Sequence, residues 1–322
     1  MARRSSTSRS WPRLRRVVKD LLSLSPIPRE HVHGLISLAA ELKQLRRQGK
    51  VHARLAGRTL GLLFQKASTR TRVSFEVGMN QLGGQALFLP IGDIQLSRGE
   101  SVTDTARVLS RYLDGLVIRT FDQAIVEEWG RESSIPVING LTDLHHPCQA
   151  LSDLLTIQEK KGRLKGLRLA YVGDGNNMAN SLIEAGAKVG MSVSVGCPKG
   201  YQPDTSVVER ARHEALQTRC TIELTEDPEV AVKDADVVYT DVWISMGQER
   251  EHARRLKAFS SYQVNERLMK RARPDAIVLH CLPAHRGEEI SARVLDGPQS
   301  VVMDQAENRL HMQKAILVQL LG

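Results

Sequence analysis

A chain of 322 residues is long enough for two domains that each bury a core. An apolar fraction of 41% with only 4% Phe, Tyr and Trp suits a globular α/β enzyme and argues against a disordered or aromatic-stacking protein, and no run of about eighteen apolar residues offers a membrane span. The formal charge of +9 is local: residues 1 to 20 hold seven Lys or Arg against one acid, Asp20, so the body is nearly balanced and a nucleic-acid partner is not implied.

Residues 1 to 18, MARRSSTSRSWPRLRRVV, form a basic extension without an acid. The composition suits a short disordered tail on a cytoplasmic protein, with an organellar transit peptide and a matrix location as the alternative. Cysteines at 148, 197, 220 and 281 show neither a Cys-x-x-Cys spacing nor the density of a secreted scaffold, so a reducing compartment is expected.

From Lys19 the pattern is helical, with Leu35, Leu38, Ala39 and Leu42 at three- and four-residue steps. Strands are expected at Thr59 to Phe64, Gln85 to Leu89, Gly115 to Arg119 and Pro136 to Ile138, with a helix over Arg72 to Leu82 and a long one over Gln149 to Lys160. After the hydrophilic turn at 161 to 166 the alternation resumes, with strands at Arg168 to Val172, Ser192 to Val195, Val237 to Thr240, Ala276 to His280 and Ser300 to Met303. A last helix, Arg309 to Leu321, is expected to return to the first half. The fold class is therefore α/β in two domains, each a mostly parallel sheet flanked by helices: 19–160 with the returning helix 309–322, and 161–308.

In such sheets ligands bind beyond the carboxyl ends of the strands, and five chemically loaded stretches fall there. The first, Ser68-Thr69-Arg70-Thr71-Arg72, places hydroxyls and guanidinium groups where a helix begins, a donor array fit for an anion. It is not the Gly-rich Lys-Ser/Thr loop of nucleotide triphosphatases, so ATP is not implied. The others are Arg119-Thr120, His145 to Gln149, Asp241 to Gly247 and His280 to Pro283. Gly173-Asp174-Gly175 has Met178 where a dinucleotide fingerprint wants glycine, which leaves NAD weakly supported; Asn176 and Asn177 there could bind a carboxylate or cap a helix. His146 could polarise a carbonyl, with Gln149 one turn on. Cys281 beside His280 could be read as a nucleophile with its base, but neighbours on a strand point to opposite faces, and a buried inert thiol is the default. No His/Cys pair has a zinc-like spacing, and neither metal nor cofactor is expected.

Together the segments FQKASTRTRVSFE, HHPCQALSD, VGDGNNMANSL, DVWISMGQE, HCLPAHRGEE and AENRLH resemble the transcarbamylase family, on its ornithine branch, over nearly the whole chain from Lys19. The resemblance implies transfer of a carbamoyl group from carbamoyl phosphate to the side-chain amine of ornithine, giving citrulline and phosphate, with no cofactor and no metal. Carried over to this sequence, it implies that Ser68, Thr69, Arg70 and Thr71 hold the phosphate. Arg119 and His146, with Thr71, would contact the carbonyl oxygen, while Gln149, Cys281, Leu282 and Arg309 would surround the carbamoyl end. Asn177, Asp241, Ser245 and Met246 would hold the amino-acid end of ornithine, and Arg119, His146, Cys281 and Asp241 would carry the chemistry. Gln95 would reach a neighbouring subunit's site, implying a homotrimer or a multiple of trimers. Gly247 suggests a loop that closes over both ligands. Rival amines are acetylornithine, putrescine and aspartate; a nucleic-acid-binding protein and a dinucleotide oxidoreductase are the rivals outside the family. Use in making arginine and use in breaking citrulline down both stay open.

Overall fold

The computed structural model describes residues 18–322 apart from Met246 and Gln248. Residues 1–17 of the basic extension and the expected contact by Met246 thus lie outside the described residues. The first part of the chain runs α1 (Arg29–Arg47), β1 (Thr59–Phe64), α2 (Thr69–Gln81), β2 (Gln85–Pro90), α3 (Val102–Leu109), β3 (Gly115–Arg119), α4 (Gln123–Glu132), β4 (Val137–Leu141) and α5 (Pro147–Lys161). The second runs β5 (Arg168–Val172), α6 (Asn177–Val189), β6 (Ser192–Gly196), α7 (Thr205–Thr218), β7 (Ile222–Thr225), α8 (Pro228–Val232), β8 (Val237–Thr240), α9 (His252–Phe259), α10 (Glu266–Met269), β9 (Ile277–His280), α11 (Ala292–Leu295) and α12 (Val302–Leu321).

Two parallel sheets result, ordered β2-β1-β3-β4 and β7-β6-β5-β8-β9. Both orders reverse direction once, between β1 and β3 and between β5 and β8, and such switch points open a crevice at the strand ends. The α/β class with two parallel sheets is as the sequence implies. In β1 Leu60, Leu62 and Phe64 are buried on one face and Leu63 on the other, which makes a covered parallel strand rather than a half-solvated one.

Helix α1 buries Val32, Leu35, Ile36, Ala39 and Leu42 along one stripe, against α5 and α12. α5 is buried over Pro147 to Ile157 because it lies between the sheets, packing on β4, α6 and α12. The apolar core continues through these helices from one sheet to the other. A strap before α1 also joins the two: Leu21 bridges to Ile138 on β4, while Leu24 N–H donates to Glu184 and Arg29 pairs with Glu214.

The structure departs from the expected elements in three places. The helical pattern expected from Lys19 begins only at Arg29, because Leu21 and Leu24 bind the strap to β4 and Glu184 instead. Ser300 to Met303 is not a strand: Ser300 makes a single bridge to Val278, then Val302 enters α12, which buries Val302 and turns Met303 to solvent. An apolar run too short for a ladder was thus absorbed by a helix start, and α12 begins seven residues before Arg309. β7 alternates apolar and polar residues over only four positions, Ile222-Glu223-Leu224-Thr225, too short a run to stand out; pairing with β6 at the sheet edge makes it a strand.

Candidate active site

The pairing Phe64↔Arg119 sets the ends of β1 and β3 side by side, so the hydroxyl-rich turn and Arg119 face one crevice. Ser68 is the N-cap of α2: extended backbone at φ −161° lets its Oγ accept from Thr71 N–H at 3.2 Å. The remaining free N–H groups at this helix end present partial positive charge. Arg309 comes from α12, where its Nη2 donates to Thr71 Oγ1 at 2.8 Å and its Nη1 to Gln149 Oε1. His146 is the N-cap of α5, fixed by its N–H to Ser181 Oγ at 2.7 Å.

Three arginines crowd this wall. Burial lowers the Arg119 guanidinium to about 10, helped by neighbouring Arg309 and Arg70, so it stays a cation near neutrality. Burial, then Arg309, Arg119 and Arg70, push His146 well below the usual imidazole range, which leaves it a neutral hydrogen-bonding group. Arg119 Nε, His146 Nδ1 and Arg309 Nε are buried without a partner among the described residues. Buried polar atoms of native sites are otherwise nearly always paired, so this wall has the chemistry of an anion and carbonyl acceptor site.

On the opposite wall Thr240↔His280 pairing makes Asp241 and Cys281 neighbours. Cys281 Sγ donates to Asp241 Oδ1 at 3.0 Å, and Asp241 Oδ2 accepts from Asn176 Nδ2 at the same distance. Burial and then the Asp241 charge raise the Cys281 thiol well above its ordinary range, so it is a protonated thiol and no activated nucleophile. His280 points away: its Nδ1 accepts from Leu282 N–H at 2.9 Å, which puts the ring proton on Nε2, 3.0 Å from Glu289. Adjacent strand residues thus face opposite ways. Asn176 caps α6 through Met178 and Ala179 N–H, while Asn177 Nδ2 donates to Thr142 carbonyl at 2.6 Å. Gly175 has its own reason to be glycine: a Cβ would sit 2.3 Å from Pro203 N.

Between the walls lies a cleft of about 920 Å³. Ser68, Thr69, Arg70, Thr71, Arg119, His146, Asn177, Asp241, Ser245, Cys281, Leu282 and Arg309 all line it. Arg70 Nη2 spans it to Leu282 carbonyl at 2.6 Å, where the Leu282 backbone is left-handed at φ +59°. Gln149 does not line the cleft; it stands behind Arg309. Gln95 is exposed on a short turn away from it. Ligand atoms of Asp241, His280 and Cys281 lie within 4.8 Å of one another, but the hydrogen bonds above already engage them.

Two further contributors line the cleft, Lys66, which the sequence offers only within the FQKASTRTRVSFE segment, and Arg255, which it does not single out. Lys66, buried beside the cleft, pairs with Asp143 and lies 4.1 Å from the Phe121 ring centroid. Arg255 donates to Asp174 at 2.8 Å and to Trp243 carbonyl at 2.9 Å, tying α9 and the root of the loop at 243–251 to the β5 turn. Arg255 looks like any basic residue of a charged helix, and only its burial distinguishes it.

Residues 19–159 match the family model "Aspartate/ornithine carbamoyltransferase, carbamoyl-P binding domain", and residues 165–320 match "Aspartate/ornithine carbamoyltransferase, Asp/Orn binding domain". The chain belongs to the aspartate/ornithine carbamoyltransferase family. Among curated relatives, the ornithine carbamoyltransferase of Syntrophus aciditrophicus is 56% identical over 93% of this chain and 98% of its own, and that of Bacillus subtilis 56% over 93% and 92%. The solved ornithine carbamoyltransferase of Pyrococcus furiosus superposes with a TM-score of 0.92 at 53% identity, covering 94% of this chain and 97% of the other. That of Thermus thermophilus gives 0.85 at 42%, covering 95% and 100%. Within the carbamoyltransferase frame, Arg309 falls in the span of the amino-acid half, yet its guanidinium serves the wall that holds Ser68 to Thr71.

Proposed function

We propose that the cleft transfers the carbamoyl group of carbamoyl phosphate to the side-chain amine of L-ornithine, giving L-citrulline and phosphate. The observation that carries it is the facing of a three-arginine wall at a helix N-terminus against the Asp241–Cys281 pair. Ser68, Thr69, Arg70 and Thr71 hold the phosphate, with charge-assisted bonds of about 1.5–3 kcal/mol each. Arg119, Thr71 and neutral His146 donate toward the carbonyl oxygen where negative charge builds, while Leu282 and Arg309 bound the carbamoyl end. Asn177, Asp241, Ser245 and Met246 hold ornithine, Asp241 and the Cys281 thiol directing its amine.

The neutral amine attacks the carbamoyl carbon; the C–N bond forms, the C–O bond to phosphate breaks, and the departing phosphate oxygen is the acceptor within reach for the amine proton. Positioning and electrostatics supply the acceleration, without a covalent intermediate. A trapped carbamoylated Cys281 overturns that mechanism.

We further assign residues 19–160 with the returning α12 to the phosphate half and 161–308 to the amine half. The working assembly is a trimer or a multiple of trimers, with Gln95 reaching a neighbour's cleft. Exposed Val73 and Val77 on α2 and Leu87 on edge strand β2 support burial of that face. No helix among the described residues is long and apolar enough to cross a membrane. We place the enzyme in a reducing, cytoplasmic setting, which its four free cysteines support. The test is to supply carbamoyl phosphate with ornithine, acetylornithine, putrescine or aspartate and assay phosphate and ureido product. Citrulline from ornithine alone, lost in Arg70→Ala, is the expected result; product with another amine overturns the substrate assignment.

A further inference from the structure

Asp153 is fully buried in α5, behind the phosphate wall and out of the cleft. Three side-chain donors converge on its carboxylate: Gln149 Nε2 and Gln305 Nε2, both 2.8 Å from Oδ1, and the Tyr239 hydroxyl 3.1 Å from Oδ2. Each link leads toward a cleft residue. Gln149 Oε1 accepts from Arg309, which in turn donates to Thr71; Gln305 Oε1 accepts from His280 N–H, beside Cys281; Tyr239 lies two residues before Asp241.

The chemistry of these partners leaves no freedom of orientation. Asp153 Oδ1, met by two amide NH₂ groups, can only accept, any proton falling to Oδ2, and a guanidinium only donates, so Gln149 between them turns its NH₂ to Asp153 and its oxygen to Arg309. With the carboxylate removed, Arg309 still calls for the amide oxygen, but the NH₂ loses the acceptor that fixes it, so Gln149 is held at one end only and Arg309 loses a rigid partner.

We infer that Asp153 is a positioning residue for the carbamoyl phosphate side of the cleft, aiming Arg309 through Gln149. The inference rests on the proposed reaction for its substrate but not for its geometry. Burial of a carboxyl in a helix packed between two sheets opposes stability: it raises Asp153 to about 7, against the pull of the three donors and Arg309. An apolar side chain would fill such a core position at lower cost, so what the acid contributes there is its hydrogen bonds to the polar network.

The test is a double-mutant cycle in the full-length protein, read both as inorganic phosphate affinity by titration calorimetry and as kcat/KM for carbamoyl phosphate. Asp153→Ala is expected to weaken each by about tenfold to a hundredfold, the range of one charged hydrogen bond. In an Arg309→Ala background the same change is expected to cost less than about twofold, because the two residues act in series. Asp153→Asn should recover most of the loss, since its oxygen still accepts from both glutamines. Tyr239→Phe leaves the Gln149 seat intact and should keep phosphate affinity within about twofold. An equal loss in both backgrounds, or none in the parent, overturns the inference. Should Asp153→Ala not fold, Gln149→Met breaks the same link and passes or fails on the same non-additivity. Absence of citrulline from the wild type overturns the proposed reaction instead, and the phosphate-affinity cycle still decides the role of Asp153.

Discussion

On the four-stranded side of the cleft, three arginines and a neutral histidine rise from β3, from the starts of α2 and α5 and from the middle of α12, with Thr71, Gln149 and Ser181 locking their directions. On the five-stranded side, Asp241, Cys281 and Asn176 hold one another, and Arg255 ties the Trp243 carbonyl to Asp174. The first wall is a fixed cationic cradle; the second is an acidic and amide surface carrying a long connection. A doubly charged phosphate rewards fixed donors, because preorganised charge needs no rearrangement when the bond breaks. An amino acid with three recognisable ends is met by hydrogen-bonding groups of both kinds, as Asp241 and Asn176 supply here.

The comparison is broken most directly at Arg119. Arg119→Ala is expected to lower kcat/KM for carbamoyl phosphate by about 10²–10³-fold, the usual loss for a donor to developing oxyanion charge. Steady-state citrulline assays check this, and a loss confined to the ornithine KM would contradict the cradle assignment. Next in size is the other wall: Asp241→Asn should raise the ornithine KM by about tenfold to a hundredfold while phosphate binding stays unchanged. Cys281→Ser keeps a donor to Asp241 and should cost less than about tenfold; a complete loss would point to covalent chemistry.

The rooting of the loop is sharpened by Arg255→Ala, which frees Trp243 carbonyl and Asp174 together. A rise of about fivefold in ornithine KM is expected, with faster amide exchange over 243–251 and little change at Ser68 to Thr71. Equal exchange in parent and variant would show the loop to be held elsewhere.

The smallest effect concerns the seam between the halves. Burial raises the Glu184 carboxyl from 4.5 to about 7, opposed by its bond from Leu24 N–H. A carboxyl raised on folding binds protons better in the native state. Its contribution therefore favours folding at low pH and is lost as pH climbs from the unfolded value toward 7. Glu184→Gln removes that dependence, so its Tm relative to the parent should shift upward by a few degrees (~2–5 °C) between pH 5 and pH 8. Calorimetry at both values checks the sign.

Most of the strands and the chemically loaded turns were legible because apolar runs ended in residues with no use in a core: Thr59 to Phe64 before Ser68, Gly115 to Ile118 before Arg119, Val237 to Thr240 before Asp241. Local composition is enough where burial of a strand and solvation of its end are decided within a few residues. Asp153, Glu184 and Arg255 were not legible, since a buried acid and a surface acid are the same letter, and only distant partners make the difference. Gln149 shows the intermediate case: the right helix and neighbourhood, but a side chain that reaches Arg309 and Asp153 in place of the cleft.

The sequence by itself determined two parallel-sheet halves, a phosphate-suited turn and the family pattern, because these follow from periodicity and from residues close in the chain. Tertiary structure alone decided strand order, which made Asp241 and Cys281 neighbours across 40 residues and brought Arg309 to Thr71 across 238. Such pairings depend on which strands share hydrogen bonds and which helices bury each other's faces, and neither is written in any short stretch of chain.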